Sequence, residues 1–247
     1  VAIVFKSFIT QVIKPGYFYI KPLLPRKGKL LLAADPKAFK SMLALNIAYS
    51  LCEGSLVMDT FPVSGPKRVL LIEQEVGPER LIQRLTDIHG ARKGTAVLDN
   101  FWITSRDLDC RLDTKSGRGL IASHIEEAKP HVVVFDPLAN FHHINENDNS
   151  EMKVLLSELT QMQETYDFAS IIIHHMGKTS EHRTLSSPER LRGAGVLFAD
   201  VDTLAVMWKP DFRQRNNISL RFATRSPIDQ DFLKLEFQEK EGTFKRV

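Results

Sequence analysis

The chain has 247 residues, 43% hydrophobic and 26% charged, a length and balance that allow one α/β domain with a full core and exclude disordered or collagenous chains. A net charge of +3 is too small to mark a nucleic-acid binder by itself. Cys52 and Cys110 are too few and too far apart for a disulfide framework, and no apolar run approaches the roughly 18 residues of a membrane helix, so a reducing, cytoplasmic setting is expected.

The opening VAIVF starts on Val1 rather than methionine and carries neither a basic leader nor a small-residue cleavage site, which reads as a trimmed start. Residues 1–27 contain Pro15, Pro22 and Pro25 and hold no sustained period, so they are expected to form an N-terminal arm or linker before a main domain at 28–247. From Gly28 onward, short apolar runs at 30–34, 69–72, 132–135 and 170–173 alternate with longer helical patterns. Runs that are apolar throughout fit strands covered on both faces, as in a parallel sheet. Leu43, Ala44, Ile47, Ala48 and Leu51 recur at helical spacing, as do Met152, Leu155, Leu156, Leu159 and Met162. After Asp200 three β-rich runs, 203–208, 218–223 and 232–237, follow with no helix between them. The expected fold is therefore α/β, a mostly parallel sheet flanked by helices with a C-terminal antiparallel β extension.

The segment GKLLLAADPKAFKSMLALNIAYSL carries the strongest chemical signal. An apolar strand runs into a short loop, and Lys40 and Ser41 open an amphipathic helix. Free amides and the positive dipole end of a helix start attract an anion, a lysine reaches outer phosphates, and a serine hydroxyl ligates magnesium. The expected cradle is Asp35, Pro36, Lys37, Ala38, Phe39, Lys40, Ser41 and Met42, with ATP and magnesium as its ligands. The full G-x-x-x-x-G-K-[ST] pattern is broken by Ala34 and Phe39, where glycine normally supplies unusual backbone angles. Two readings stand at this point, a nucleotide cradle and a plain helix start.

Two further strands end in carboxylates at the edge where open parallel sheets bind ligands. HVVVFDP delivers Asp136, a candidate magnesium ligand beside Ser41, and VLLIEQE delivers Glu73 and Glu75, either of which can polarise a water. A third strand, ASIIIHH, brings His174 and His175 to the same edge. With His142 and His143 these invite a zinc reading, but adjacent strand residues point to opposite faces and no H-E-x-x-H spacing occurs. A phosphate-sensing hydrogen bond from His175 is the better assignment.

Taken in order, GKLLLAADPKAFKS, RVLLIEQEVGPERLIQRL, VVVFDPLANF, IIIHHMGK and LRGAGVLFADVDTLAVM resemble the RecA-like P-loop ring ATPases. The resemblance is greatest to the plasmid replicative helicases of the RepA type and the broader RepA-like AAA ATPases, and it covers residues 28 to about 208. It implies that Glu75 rather than Glu73 is the general base, with Val76 where the family has aspartate. It further implies that His175 is the sensor, and that Arg192 and Arg225 serve a neighbouring subunit's site. By the same resemblance the chain is expected to hydrolyse ATP in a hexameric ring acting on single-stranded DNA, with no membrane partner. The alternative is a nucleotide-dependent switch with weak hydrolysis, suggested by the altered loop.

Overall fold

The structure, a computed structural model, describes residues 4–5, 17–35, 37–104, 109–176, 194–211 and 213–247. Strands β1 (Phe18–Ile20) and β2 (Leu24–Pro25) pair as a small hairpin. Nine further strands form one sheet among the described residues. They are β3 (Lys29–Ala34), β4 (Val69–Glu73), β5 (Phe101–Thr104), β6 (Val132–Asp136), β7 (Ala169–His175), β8 (Thr203–Trp208), β9 (Asn217–Thr224), β10 (Phe232–Gln238) and β11 (Thr243–Arg246). Their order is β11-β10-β9-β8-β3-β7-β6-β4-β5. The six strands from β8 to β5 are parallel, and β9, β10 and β11 continue antiparallel.

The helices are α1 (Lys40–Glu53), α2 (Pro78–Arg92), α3 (Lys115–Ala128), α4 (Asn149–Tyr166) and α5 (Ala194–Asp200), with a single helical turn at Val97–Asn100. Strand periodicity decides which side each residue feeds. In β3, Leu30, Leu32 and Ala34 face the core under α1 and α2, while Leu31 and Ala33 face the core under α3, α4 and α5. β6 divides likewise, Val132 and Val134 to the first core and Val133 and Phe135 to the second. Both faces are covered, which is why these strands read as unbroken apolar runs.

Local chemistry sets the helix ends. Asp148 accepts hydrogen bonds from the amides of Ser150 and Glu151 at the start of α4, and Thr114 accepts from Gly117 at the start of α3. Pro78 opens α2, where its missing N–H costs nothing. Gly54, at φ 74, closes α1 by returning its amide to Ser50 and Leu51.

The mostly parallel sheet with an antiparallel extension is observed, with one change. The run 203–208 is the last parallel strand, since β8 lies beside β3 in parallel register, and the extension starts only at β9. The connection before β8 passes through α5, which returns the chain to the starting edge of the sheet. Over residues 17–27 the expected arm is part of the fold, because Ile20, Leu23 and Leu24 are fully buried in the first core. Among the described residues no helix is long and apolar enough to cross a membrane.

Candidate functional site

β3 ends at Ala34, flanked by His175 of β7 and Met207 of β8. The chain then turns through Lys37 at φ 63 and Phe39 at φ 65, ψ 18, both left-handed, and enters α1 at Lys40. Phe39 thus holds the backbone conformation that glycine ordinarily supplies, at a cost of about 1–2 kcal/mol for a residue with a side chain. No side chain caps the start of α1, so its leading amides and dipole point into open space, an arrangement suited to an anion. The Phe39 ring does not fill that space. It turns toward the C-terminal hairpin and lies 4.3 Å from the Phe237 ring.

Above the loop is a cavity of about 760 Å³ whose lining includes Lys40, Ser41, Glu75, Arg80, Arg84 and Phe237. Lys40 is buried, and its Nζ lies 3.1 Å from His175 Nδ1. An ammonium only donates, so Nδ1 accepts and the ring proton sits on Nε2. Burial lowers the Lys40 pKa, with Glu75 and then Asp136 opposing the shift.

Ser41 stands beside Asp136 and helps to hold its pKa down. Asp136 is raised to about 7, first by burial and then by Glu73, with Ser41 and then Lys40 opposing the shift. Glu73 and Asp136 are paired across β4 and β6, so two buried carboxylates stand side by side at the strand ends. Glu73 is also raised, again mainly by burial. Its Oε1 accepts from the amides of Glu75 at 2.7 Å and Val76 at 2.9 Å. That carboxylate shapes the turn, while Glu75 is exposed and faces the cavity.

Two residues missed by the sequence reading stand on α2. Arg80 and Arg84 project into the cavity one helical turn apart. Burial lowers the Arg84 pKa, followed by repulsion from Arg80, against Glu73, Asp136 and Glu75. Its buried Nη1 has no hydrogen-bond partner. The signal was present in PERLIQRL as two arginines at i, i+4 after a strand-end glutamate, but that pattern equally fits a solvated helix face.

The other assignments fall elsewhere. Pro36 and Arg192 lie outside the described residues. Arg225 is at the far end of the sheet, beyond the pair Thr203↔Thr224, where its guanidinium donates to the carbonyl oxygen of Ala199. His174 and His175 diverge as strand geometry requires. His174 Nδ1 lies 3.9 Å and His142 Nε2 3.8 Å from Glu146 Oε1. Among the described residues no cluster of three histidine, cysteine or acidic side chains is arranged to hold a metal.

Three comparisons bear on this arrangement. A family profile described as an AAA domain matches residues 4–181. The solved ATPase domain of another protein superposes with a TM-score of 0.65 at 18% identity, covering 90% of this chain and 85% of that one, which establishes a shared fold. No curated protein sequence matches the chain.

Proposed function

The chain belongs to the AAA domain family, and from that premise we propose that it binds ATP with magnesium in the cavity above α1 and hydrolyses it, as one subunit of a hexameric ring acting on single-stranded DNA. The observation that carries the reading is the convergence of Lys40, Ser41, Glu75 and Asp136, from three separate segments of the chain, on one cavity and its floor.

The residues present suit the ligand. Uncapped amides of α1, the unpartnered Nη1 of Arg84 and the unpartnered Oδ1 of Asp136 are buried or half-enclosed polar groups that a polyphosphate and a cation would satisfy. Ser41 and Asp136 would hold magnesium, which when bound supplies positive charge at the outer phosphates. Lys40 and Arg84 add fixed charge where negative charge gathers in the transition state, and their burial strengthens the effect. Glu75 takes the proton of the attacking water. His175, hydrogen-bonded to Lys40, holds that ammonium in place and links β7 to the state of the phosphates.

The direct test is Lys40→Ala with measurement of ATP affinity. A loss of about tenfold to a hundredfold is expected, and unchanged affinity would reject the site. Turnover measured with and without single-stranded DNA tests the second half of the proposal, for which stimulation is expected. A second reading, a nucleotide-dependent switch with little hydrolysis, is favoured by Ala34 and Phe39 at the customary glycine positions. Tight binding with no stimulated turnover would select it.

A further inference from the structure

Glycine reaches the left-handed region freely, and phenylalanine does not. Phe39 nevertheless holds it at the turn into α1, so contacts outside the loop must hold the residue there. Its ring lies 4.3 Å from that of Phe237 at an interplanar angle of 31°, and Lys209 Nζ stands 4.1 Å from its centroid. Phe237 meets Phe244 at 5.0 Å, which anchors the stack on both strands of the β10–β11 hairpin. A second tie lies about two turns along α1, where Asn46 Nδ2 donates to the carbonyl oxygens of Met42 and Gly242, 2.8 Å each. The loop and the helix that follows it are therefore each tied to the C-terminal hairpin, the loop through Phe39 and α1 through Asn46, while residues 37–42 line the cavity.

We propose that Phe39 is a positioning residue: its stack with Phe237 and Lys209 is a tertiary latch that replaces glycine's conformational freedom and makes phosphate affinity depend on the C-terminal hairpin. The proposal rests on the ATP-binding reading of the cavity. A glycine loop would find its conformation unaided. Here anything that moves the hairpin withdraws the support of Phe39, and the amides before Lys40 lose their alignment.

Phe237 also lines the cavity, so an effect through Phe39 must be separated from direct contact with the ligand. A double-mutant cycle on the full chain does this. Affinity for a non-hydrolysable ATP analogue with magnesium is measured by titration calorimetry for wild type, Phe237→Leu, Phe39→Gly and the double variant. Phe237→Leu should weaken binding about tenfold with Phe39 present and less than about twofold with glycine there. Phe39→Gly alone should bind within about threefold of wild type, since it restores the turn's natural residue. Equal losses in both backgrounds would assign Phe237 to the ligand itself and overturn the latch, as would no loss in either. Lys209→Met, which keeps the stem and removes the cation, serves the same cycle should Phe237→Leu fail to fold. It should weaken binding about twofold to fivefold only when Phe39 is present. Absence of binding by wild type would instead reject the ATP-binding reading.

Discussion

Asp136 shows how a single burial sets a testable chemistry. Its pKa is raised to about 7, so the folded chain holds a proton there from the ordinary aspartate range up to about neutral pH, whereas the unfolded chain has released it. The folded state binds more protons over that interval, so this group's contribution to stability falls as pH rises through it and is fully lost above about pH 7. In chelator-treated protein, Asp136→Asn should remove that decline and raise stability at pH 8 by about 2–4 kcal/mol, read from denaturant midpoints at both ends of the interval. A flat profile in wild type would contradict the burial argument. The neighbouring ambiguity between Glu73 and Glu75 has a related origin. A spacing of two residues puts both at the strand end, and sequence does not say which carboxylate folds back on the turn. Two backbone hydrogen bonds to Glu73 separate them. Lys40, Ser41 and Asp136 were legible because a strand end or a helix start fixes where each must sit.

At the scale of elements, the strands and the two long apolar helices were legible from periodicity, and the extension strands from their run of β-formers. Strand order was not. Nothing in β3 and β6 announces that β7 lies between them, yet that insertion sets His175 against Lys40. β5 escaped notice because its edge position leaves Trp102 and Ile103 partly exposed, which breaks the apolar pattern. α2 follows the strand that ends in the glutamates, and its arginines at the cavity make it part of the site. Arg84 is a half-buried cation whose buried Nη1 is unsatisfied, a combination that costs the ligand-free fold and is relieved by an anion. Arg84→Ala should therefore raise ligand-free stability by about 1–2 kcal/mol while lowering ATP affinity by about tenfold or more. Arg84→Lys should recover only part of the affinity, for lack of the planar fork. Thermal unfolding and nucleotide titration on the same samples read the two signs. A loss of both together would make Arg84 a structural residue.

At the scale of the whole molecule, the sheet separates two ends. The cavity gathers Lys40, Arg80 and Arg84 where the parallel strands finish, and Arg225 stands at the opposite end, donating to Ala199 beside the close of α5. A cation there steadies the helix's terminal carbonyls. Arg225 is distant from its own chain's cavity, so a catalytic part for it requires a second copy, which is the content of the ring proposal. Subunits carrying Lys40→Ala and subunits carrying Arg225→Ala are each defective on a different side of such an interface. Mixed in equal amounts, they should recover activity, because about a quarter of randomly assembled interfaces would join an intact Lys40 to an intact Arg225. Recovery should vanish on dilution below the assembly concentration. An Arg225→Ala protein that turns over ATP normally on its own, with only its unfolding midpoint lowered, would reduce the residue to a helix cap. The neighbouring cation would then have to come from elsewhere, and the basic turn between β8 and β9, where Arg213 and Arg215 are exposed at the cavity end of the sheet, is the surface the same mixing experiment would probe next.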